Sequence, residues 1–222
     1  MEHQRVFDQE LAELKDKILK MGVMVQGLIF KSVEALKNMD RKMAEEVIVE
    51  DEKVDQLELE VDETVVQLVA LRQPEASDLR FLMTGMRIAN DLERIGDLSE
   101  DIAERAIELM QYPLLKPLID IPKMARIAQE SVGLALEAFI NRDPQKAKLV
   151  WEKEKETDRL RDLIHVELSQ IMASDSTTVP RALPLLLISR HLERISDHAT
   201  NIAEDIAFMV EGKVLKHSGG KE

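Results

Sequence analysis

The sequence predicts an all-α protein, a tandem duplication of a three-helix bundle with six helices whose neighbours run antiparallel. Three observations support this prediction. Apolar residues recur at helical spacing along almost the whole chain, the breaks between these segments are short, and the two halves resemble each other. Glycine and proline, at 8 and 7 of 222 residues, are too few to punctuate many strands.

The first three helices are separated by short breaks. An apolar stripe marks the first helix and comprises Leu11, Leu14, Ile18, Met21, Met24, Val25, Leu28, Ile29, Val33 and Leu36. This helix is predicted to end at Asn38-Met39-Asp40. The second is predicted to end at Gln73-Pro74, and Ser77-Asp78 precedes the third, which closes at Tyr112-Pro113.

The second half begins after a proline-containing linker, residues 113–122. A new helix is predicted at Asn141-Arg142-Asp143-Pro144, because proline is favoured in the first turn. A Ser/Thr/Asp-rich turn spans residues 173–180. These breaks predict one repeat over residues 1–112, a second over 113–217, and a flexible tail over 218–222.

Two pairs of matching segments indicate the duplication. Asp91–Glu104 aligns with His191–Glu204 at an offset of 100 residues, with 8 of 14 positions identical. Glu34–Asp40 aligns with Glu137–Asp143 at an offset of 103. A three-residue difference in the turn after the second helix explains the change of offset. Three helices per half form the smallest bundle that can cover its core.

Composition and charge exclude several classes of protein. The formal net charge of −13 disfavours direct binding to nucleic acid or to an anionic membrane surface, since both need a basic face. Cysteine is absent and aromatics make up 3%, so we expect an aliphatic core without disulfides or thiolate metal sites. The N-terminal residues lack the apolar stretch of a signal peptide, and the longest apolar run, Ala182–Ile188, cannot span a bilayer. We therefore expect a soluble protein inside the cell.

Each half carries two carboxylate pairs at i, i+4 spacing, which places both members of a pair on one helix face. The first-half pairs are Asp51/Asp55 and Glu93/Asp97, and the second-half pairs are Glu154/Asp158 and Glu193/Asp197. In an antiparallel hairpin, residues equally far from the turn lie at the same height. By this criterion the two pairs of each half meet at one level of its bundle.

Four converging carboxylates repel one another unless a cation lies among them or some are protonated. Oxygen ligands of this kind suit Mg²⁺, Ca²⁺, Mn²⁺ or iron. Two other interpretations remain open. Acid pairs on a helix are usually solvated surface, and Arg94 and Arg194, which follow the glutamates directly, could neutralise the charge instead.

Other candidate residues carry weaker signals. The five histidines, His3, His165, His191, His198 and His217, are interpreted mostly as surface or satisfied residues, although His198 could tune the second acidic site. Methionines near Met21, Met24, Met83 and Met86 are interpreted as core. No Walker loop, nucleophile elbow or glycine-rich phosphate cradle is present, so we expect a protein that is not an enzyme.

Three motifs resemble the PhoU family, the phosphate-specific transport system accessory proteins. They are Arg72-Gln73-Pro74-x-Ala76-x-Asp78-Leu79-Arg80, the box Leu92-Glu93-Arg94-Ile95-x-Asp97, and its second copy Leu192-Glu193-Arg194-Ile195-x-Asp197 running into Asn201-Ile202-Ala203-Glu204. With the duplication, the resemblance covers nearly the whole chain. The second half departs from it by lacking the Gln-Pro turn, and His191 stands where the first half has Asp91.

The resemblance implies two similar three-helix bundles and a role in phosphate homeostasis. It implies repression of the phosphate-starvation regulon through contacts with the ATPase subunit of the phosphate ABC transporter and with the sensor histidine kinase. The protein would then be cytoplasmic and peripheral to the inner membrane through these partners. It also implies metals, iron clusters among them, on Glu/Asp-x-x-x-Asp motifs matching the eight acidic residues above, with Mg, Mn, Fe, Ca and Zn as candidates.

Two alternatives of different class remain. One is a metal-storage protein or metal-dependent enzyme, which would show turnover or redox cycling. The other is a generic helical interaction module whose acidic residues are merely solvated. A bundle of this kind could also form a homodimer, but the sequence identifies no interface.

Overall fold

The structure, a computed structural model, describes the backbone of residues 2–211 and the side chains of residues 6–210. Its α-helices are α1 (Glu2–Asn38), α2 (Arg41–Arg72), α3 (Ala76–Leu109), α4 (Asp120–Asn141), α5 (Pro144–Ser174) and α6 (Val179–Glu211). A short 3₁₀ turn, Ser176–Thr178, precedes α6, and residues 2–211 contain no strand. The predicted all-α class with six helices is confirmed. The predicted tail, residues 218–222, lies outside the described residues.

Local chemistry at the helix ends explains why the predicted breaks hold. The Asp40 carboxylate accepts a hydrogen bond from the Met43 N–H at 3.1 Å, and Asp143 accepts one from the Gln145 N–H at 2.9 Å. These caps satisfy amide groups that the first turn leaves unpaired. The residues after α1 and α4, Met39 and Arg142, both have left-handed φ angles, of 54° and 51°. They are repeat counterparts, so the two halves turn in the same way.

Ion pairs fix the antiparallel arrangement of α1 and α2. Lys31 pairs with Glu50 at 2.7 Å, Lys17 with Glu60 at 3.1 Å, and Arg72 with Glu10 at 2.7 Å. Each pair straddles the turn at residues 39–40 at nearly equal distances along the chain. Within each half all three helices contact one another, whereas α2 and α5 contact no helix of the other half. The tandem three-helix arrangement is therefore confirmed.

The halves join through α1 against α4 and through α3 against α6. Gln26 and Gln129, which are repeat counterparts, each donate a side-chain hydrogen bond to the other's backbone carbonyl, at 3.0 and 2.7 Å. This reciprocity places an approximate internal two-fold axis between them. Arg87 pairs with Asp205 at 3.1 Å and Asp91 with His198 at 2.8 Å, so α3 and α6 are also antiparallel.

One aliphatic core runs through both halves. The stacked rings of Phe81 on α3 and Phe139 on α4, with centroids 5.5 Å apart, connect the halves at one end.

The predicted boundary between repeats falls in the connection between α3 and α4, and the division at residues 112/113 stays a prediction. No helix within residues 2–211 has an apolar stretch long enough to cross a membrane.

Candidate metal centre

The four first-half carboxylates meet where α2 packs against α3. Asp51 and Asp55 from α2 and Asp97 from α3 each offer an oxygen, and these oxygens all lie within 4.8 Å of one another. Glu93 lies one turn before Asp97. Burial, Asp97 and Asp55 raise the pKa of Glu93, while Arg94 acts in the opposite direction. The structure thus brings together the residues that their equal distances from the turn had placed at one level of the bundle.

Asp51 is the most enclosed member of this cluster. Its side chain is 2% exposed, and its Oδ1 has no hydrogen-bond partner among the described residues. Burial, followed by the charges of Asp55 and Asp97, raises the pKa of Asp51 to about 8. A buried carboxyl group with only like-charged neighbours either keeps its proton or requires a cation. The orphaned oxygen is therefore the feature that best fits a metal ligand.

Gly96 creates the space that the Asp51 carboxylate occupies. A β-carbon at position 96 would overlap Oδ1 of Asp51 and lie tightly against Cγ of the same residue. Glycine inside a helix costs roughly 0.5–1 kcal/mol relative to alanine, so its place in α3 needs a local reason. The close approach of α3 to the buried carboxylate supplies that reason.

Sequence reasoning missed two further acids at this site. Glu100 adds to the raised pKa of Asp51. Burial, Asp62 and Asp55 raise the pKa of Glu58. Each follows an identified ligand candidate by three residues and so lies on the same helix face. Extending the search from i, i+4 to i, i+3 spacing would have found both.

Arg94 neutralises only part of this charge. It donates a hydrogen bond to Asp97 Oδ2 at 2.8 Å and lies 3.2 Å from Glu93 Oε2. Its side chain is half exposed, which weakens both interactions. The carboxyl groups of the cluster are Asp51, Asp55, Glu58, Glu93, Asp97 and Glu100. One arginine cannot balance this cluster, and three of its members offer oxygens that could hold a metal ion.

The second-half carboxylates are close enough to affect one another but do not converge as tightly. Burial, Glu193, Glu154 and Asp158 raise the pKa of Asp197 to about 6. Among the described residues, only the first-half trio brings three candidate ligand atoms within 4.8 Å of one another. The second-half acids, Glu154, Asp158, Glu193 and Asp197, therefore form a looser set.

Arg161 is the main reason for this difference, because it is the repeat counterpart of Glu58. It makes an ion pair with Glu193 and a second with Asp162 at 2.9 Å. Equal distance from the turn predicted Asp158 at the level of Glu193, and Arg161, one turn further along α5, makes the ion pair with Glu193. Thr200, the counterpart of Glu100, donates a hydrogen bond to Glu154 Oε2 at 3.0 Å. The second set thus contains a cation and a hydroxyl where the first has two more carboxylates.

Two histidines join the halves. His198 Nδ1 lies 2.8 Å from Asp91 Oδ1, and His191 Nδ1 lies 3.6 Å from Asp101 Oδ2. His198 opposes the burial and the neighbouring acids that raise the pKa of Asp197, and its tuning role stays a prediction. His165 is half-buried, and the side chains of His3 and His217 lie outside the described residues.

The methionines divide between the core and the surface. Met21 is buried and Met24 packs against the core, as predicted. Met83 is 42% exposed and, with Met86, lines a groove between α3 and α6. The core interpretation is therefore wrong for Met83, because helical spacing alone does not show which face the neighbouring half leaves open.

Known proteins match this chain over nearly its full length. The family model described as the PhoU domain matches residues 18–106 and 121–206, one match in each half. The phosphate-specific transport system accessory protein PhoU homolog of Aquifex aeolicus is 42% identical over 96% of this chain and 97% of its own length. The Escherichia coli K12 accessory protein PhoU is 33% identical over 97% of this chain and 90% of its own.

Solved structures agree with these sequence matches. The crystal structure of PhoU from Pseudomonas aeruginosa superposes with a TM-score of 0.90 at 35% identity, covering 93% of this chain and all of that one. The phosphate transport system regulatory protein PhoU from Streptococcus pneumoniae gives a TM-score of 0.88 at 30% identity, covering 95% and 99%.

Proposed function

The chain belongs to the PhoU family, and on that premise we propose that it is an accessory protein of phosphate-specific transport that represses phosphate uptake and the phosphate-starvation regulon. The observation that carries this proposal is the match of both halves to the PhoU domain, with relatives named as accessory proteins of that system. The resemblance inferred from the sequence motifs is confirmed. Regulation rather than catalysis is part of the proposal.

The proposed mode of action is that of an adaptor. Its partners would be the ATPase subunit of the phosphate ABC transporter and the sensor histidine kinase, which would hold it, in the cytoplasm, at the inner membrane. The outer helices α2 and α5 support this idea, since within residues 2–211 each contacts only helices of its own half. Their outward faces carry exposed apolar side chains such as Val49, Val66, Leu163 and Val166, which suit contacts with proteins.

We further propose that the first-half cluster holds a cation. Asp51, Asp55 and Asp97 would be ligands, with Glu93 beside them, and Mg, Mn, Fe, Ca or Zn are all candidates. A bound cation would supply positive charge that offsets the repulsion between α2 and α3. The second set, Glu154, Asp158, Glu193 and Asp197, is a weaker candidate because Arg161 already supplies a charge there.

A metal-storage or metal-binding helical protein is the second candidate function. The convergence of three carboxylate oxygens favours it, since a group of this kind could hold a metal ion. The two functions differ in what removal of the protein does to the cell. Loss of a storage protein changes metal content, whereas loss of an accessory protein changes the response to phosphate.

Deletion of this chain from its host should derepress a phosphate-starvation reporter in phosphate-rich medium, because the repressing adaptor is missing. Reintroducing the wild-type chain should restore repression, and so should the control Glu45→Gln/Glu46→Gln, which changes two exposed glutamates on α2. The measurement is reporter activity at high and low phosphate. A deletion strain that keeps normal repression and normal phosphate uptake would exclude the proposed role.

A further inference from the structure

A groove of about 530 Å³ opens where α3 and α6 meet beside α2. Five of its lining residues are acidic, namely Glu58, Asp62, Asp91, Glu204 and Asp205. We call it the seam groove, formed by residues 58–62 of α2, 83–91 of α3 and 201–205 of α6. It lies next to the carboxylate cluster described above and shares Glu58 with its edge.

Contacts within the protein use some of these acids and leave two others available. Arg87, the one cation among the residues lining the groove, pairs with Asp205 at 3.1 Å. Asp91 is held by His198 at 2.8 Å. Glu58 and Asp62, by contrast, make no hydrogen bond or ion pair with the described residues. Burial, Asp62 and Asp55 raise the pKa of Glu58, and the nearby Arg94 offsets them only in part. Two adjacent carboxylates on one face of α2 therefore point to a cationic occupant.

Apolar surface in the groove fits a long aliphatic stem. Met83 and Met86 line the groove, and Met83 is 42% exposed. Thioether side chains are flexible and polarizable, so they adapt to the methylene chains of lysine or arginine. The combination of a methionine surface and free carboxylates matches a side chain with an apolar stem and a charged head.

The internal repeat indicates that helix packing does not require this acidity. The counterparts of Glu58 and Asp62 are Arg161 and His165, and those of Met83 and Asn90 are Leu183 and Arg190. The same helix contacts thus exist in the other half with an arginine and a histidine in place of the two acids. The surroundings of His191 agree, since burial lowers its pKa and Arg194, Arg105 and Arg190 lower it further, against Asp101. The acidic character of the seam groove is therefore a property of that surface alone.

We propose that the seam groove receives a lysine or arginine side chain from an amphipathic basic segment of a protein partner. The charged head pairs with Glu58 and Asp62, and the stem packs on Met83 and Met86. Charge complementarity selects this occupant, because the groove combines unpaired carboxylates with apolar surface. The inference deepens the adaptor role proposed above and rests on it.

The test uses methionine-methyl NMR of the full chain, titrated with a synthetic amphipathic peptide whose polar face carries arginines. A matched peptide with glutamine at those positions is the control ligand. The Met83 and Met86 methyl signals should shift with the arginine peptide, while that of buried Met21 stays in place. Glu58→Gln/Asp62→Asn should weaken binding by about tenfold or more, whereas Glu45→Gln/Glu46→Gln, with the same change in charge, should not.

Several results would overturn the proposal. Equal weakening by both double variants would mean unspecific attraction to an acidic protein. Shifts of Met83 and Met86 that follow protein concentration would identify a second copy as the occupant, and equal shifts with the glutamine peptide would show that the groove does not select a charged side chain. Failure here leaves the accessory role untouched, since the reporter assay tests that role without the peptide. Conversely, peptide binding with normal reporter repression in the deletion strain would separate the groove from phosphate regulation.

Discussion

Without added cations, the free energy of unfolding should fall by up to about 4 kcal/mol between about pH 5 and pH 8. Burial and the neighbouring Asp55 and Asp97 raise the pKa of Asp51 from its ordinary value of 3.8 to about 8. At a pH between these two pKa values, Asp51 keeps its proton in the folded chain and has lost it in the unfolded chain. The contribution of Asp51 to the free energy of unfolding is therefore fully present below its pKa in the unfolded chain, 3.8. It is lost as the pH rises through its pKa in the folded chain, about 8. The raised pKa values of Asp55, Glu93 and Glu100 act in the same direction.

Chemical denaturation at several pH values in the presence of a chelator measures this slope. Asp51→Asn removes the titrating group and should flatten the slope over the same range. Asp162→Asn, an exposed carboxylate on α5 paired with Arg161, is the control and should leave it unchanged. Wild-type stability that is constant or rises between pH 5 and 8 would contradict the assigned environment of Asp51.

Arg161→Glu should destabilise the cation-free protein by about 2–4 kcal/mol. The substitution removes the ion-pair partner of Glu193 and adds a further carboxylate beside Asp158. It also gives the second half the residue type that the first half has at Glu58. Mn²⁺ or Mg²⁺ should then recover part of the lost stability, because the second set would carry uncompensated charge as the first set does.

Thermal denaturation with and without Mn²⁺ measures both effects. Arg159→Glu is the matched control, because Arg159 is exposed on the same helix and makes no ion pair with the described residues. It should cause less than about 0.5 kcal/mol of destabilisation. Equal losses for the two variants would show that Arg161 does not neutralise the second set.

The fold was predictable because its determinants are local and repeated. Helical spacing of apolar residues identified the helices, and the breaks at residues 38–40 and 141–144 identified where α2 and α5 begin. The repeat fixed the number of helices per half. The packing of the halves was not predictable, because it depends on contacts such as Gln26 with Gln129, whose partners lie far apart in the sequence.

The candidate site was predictable in the first half and less so in the second. Equal distance from a turn correctly placed Asp51, Asp55 and Asp97 together. It could not show that Asp51 is buried, since that depends on the space left by Gly96. In the second half the same criterion overlooked Arg161, although the repeat offset itself identifies Arg161 as the counterpart of Glu58.

The difference between the halves follows from these few positions. The second half has Arg161, Ser196 and Thr200 where the first half has Glu58, Gly96 and Glu100. Each of these differences lowers the negative charge around the carboxylates or fills the space beside them. Ser196 instead donates a hydrogen bond to Thr157 at 3.2 Å. The duplication thus keeps one scaffold while only one half retains a strongly repulsive acidic cluster.

Calorimetric titration of the demetallated protein with Mn²⁺ tests most directly whether this cluster is a cation site. Asp51→Asn/Asp97→Asn neutralises the first-half set, and Glu154→Gln/Asp197→Asn neutralises the second-half set with the same change in charge. The wild type should bind, the first variant should lose its tightest binding, and the second should keep it. Equal binding by all three proteins, or no binding by the wild type, would contradict the assignment of the first-half carboxylates as metal ligands.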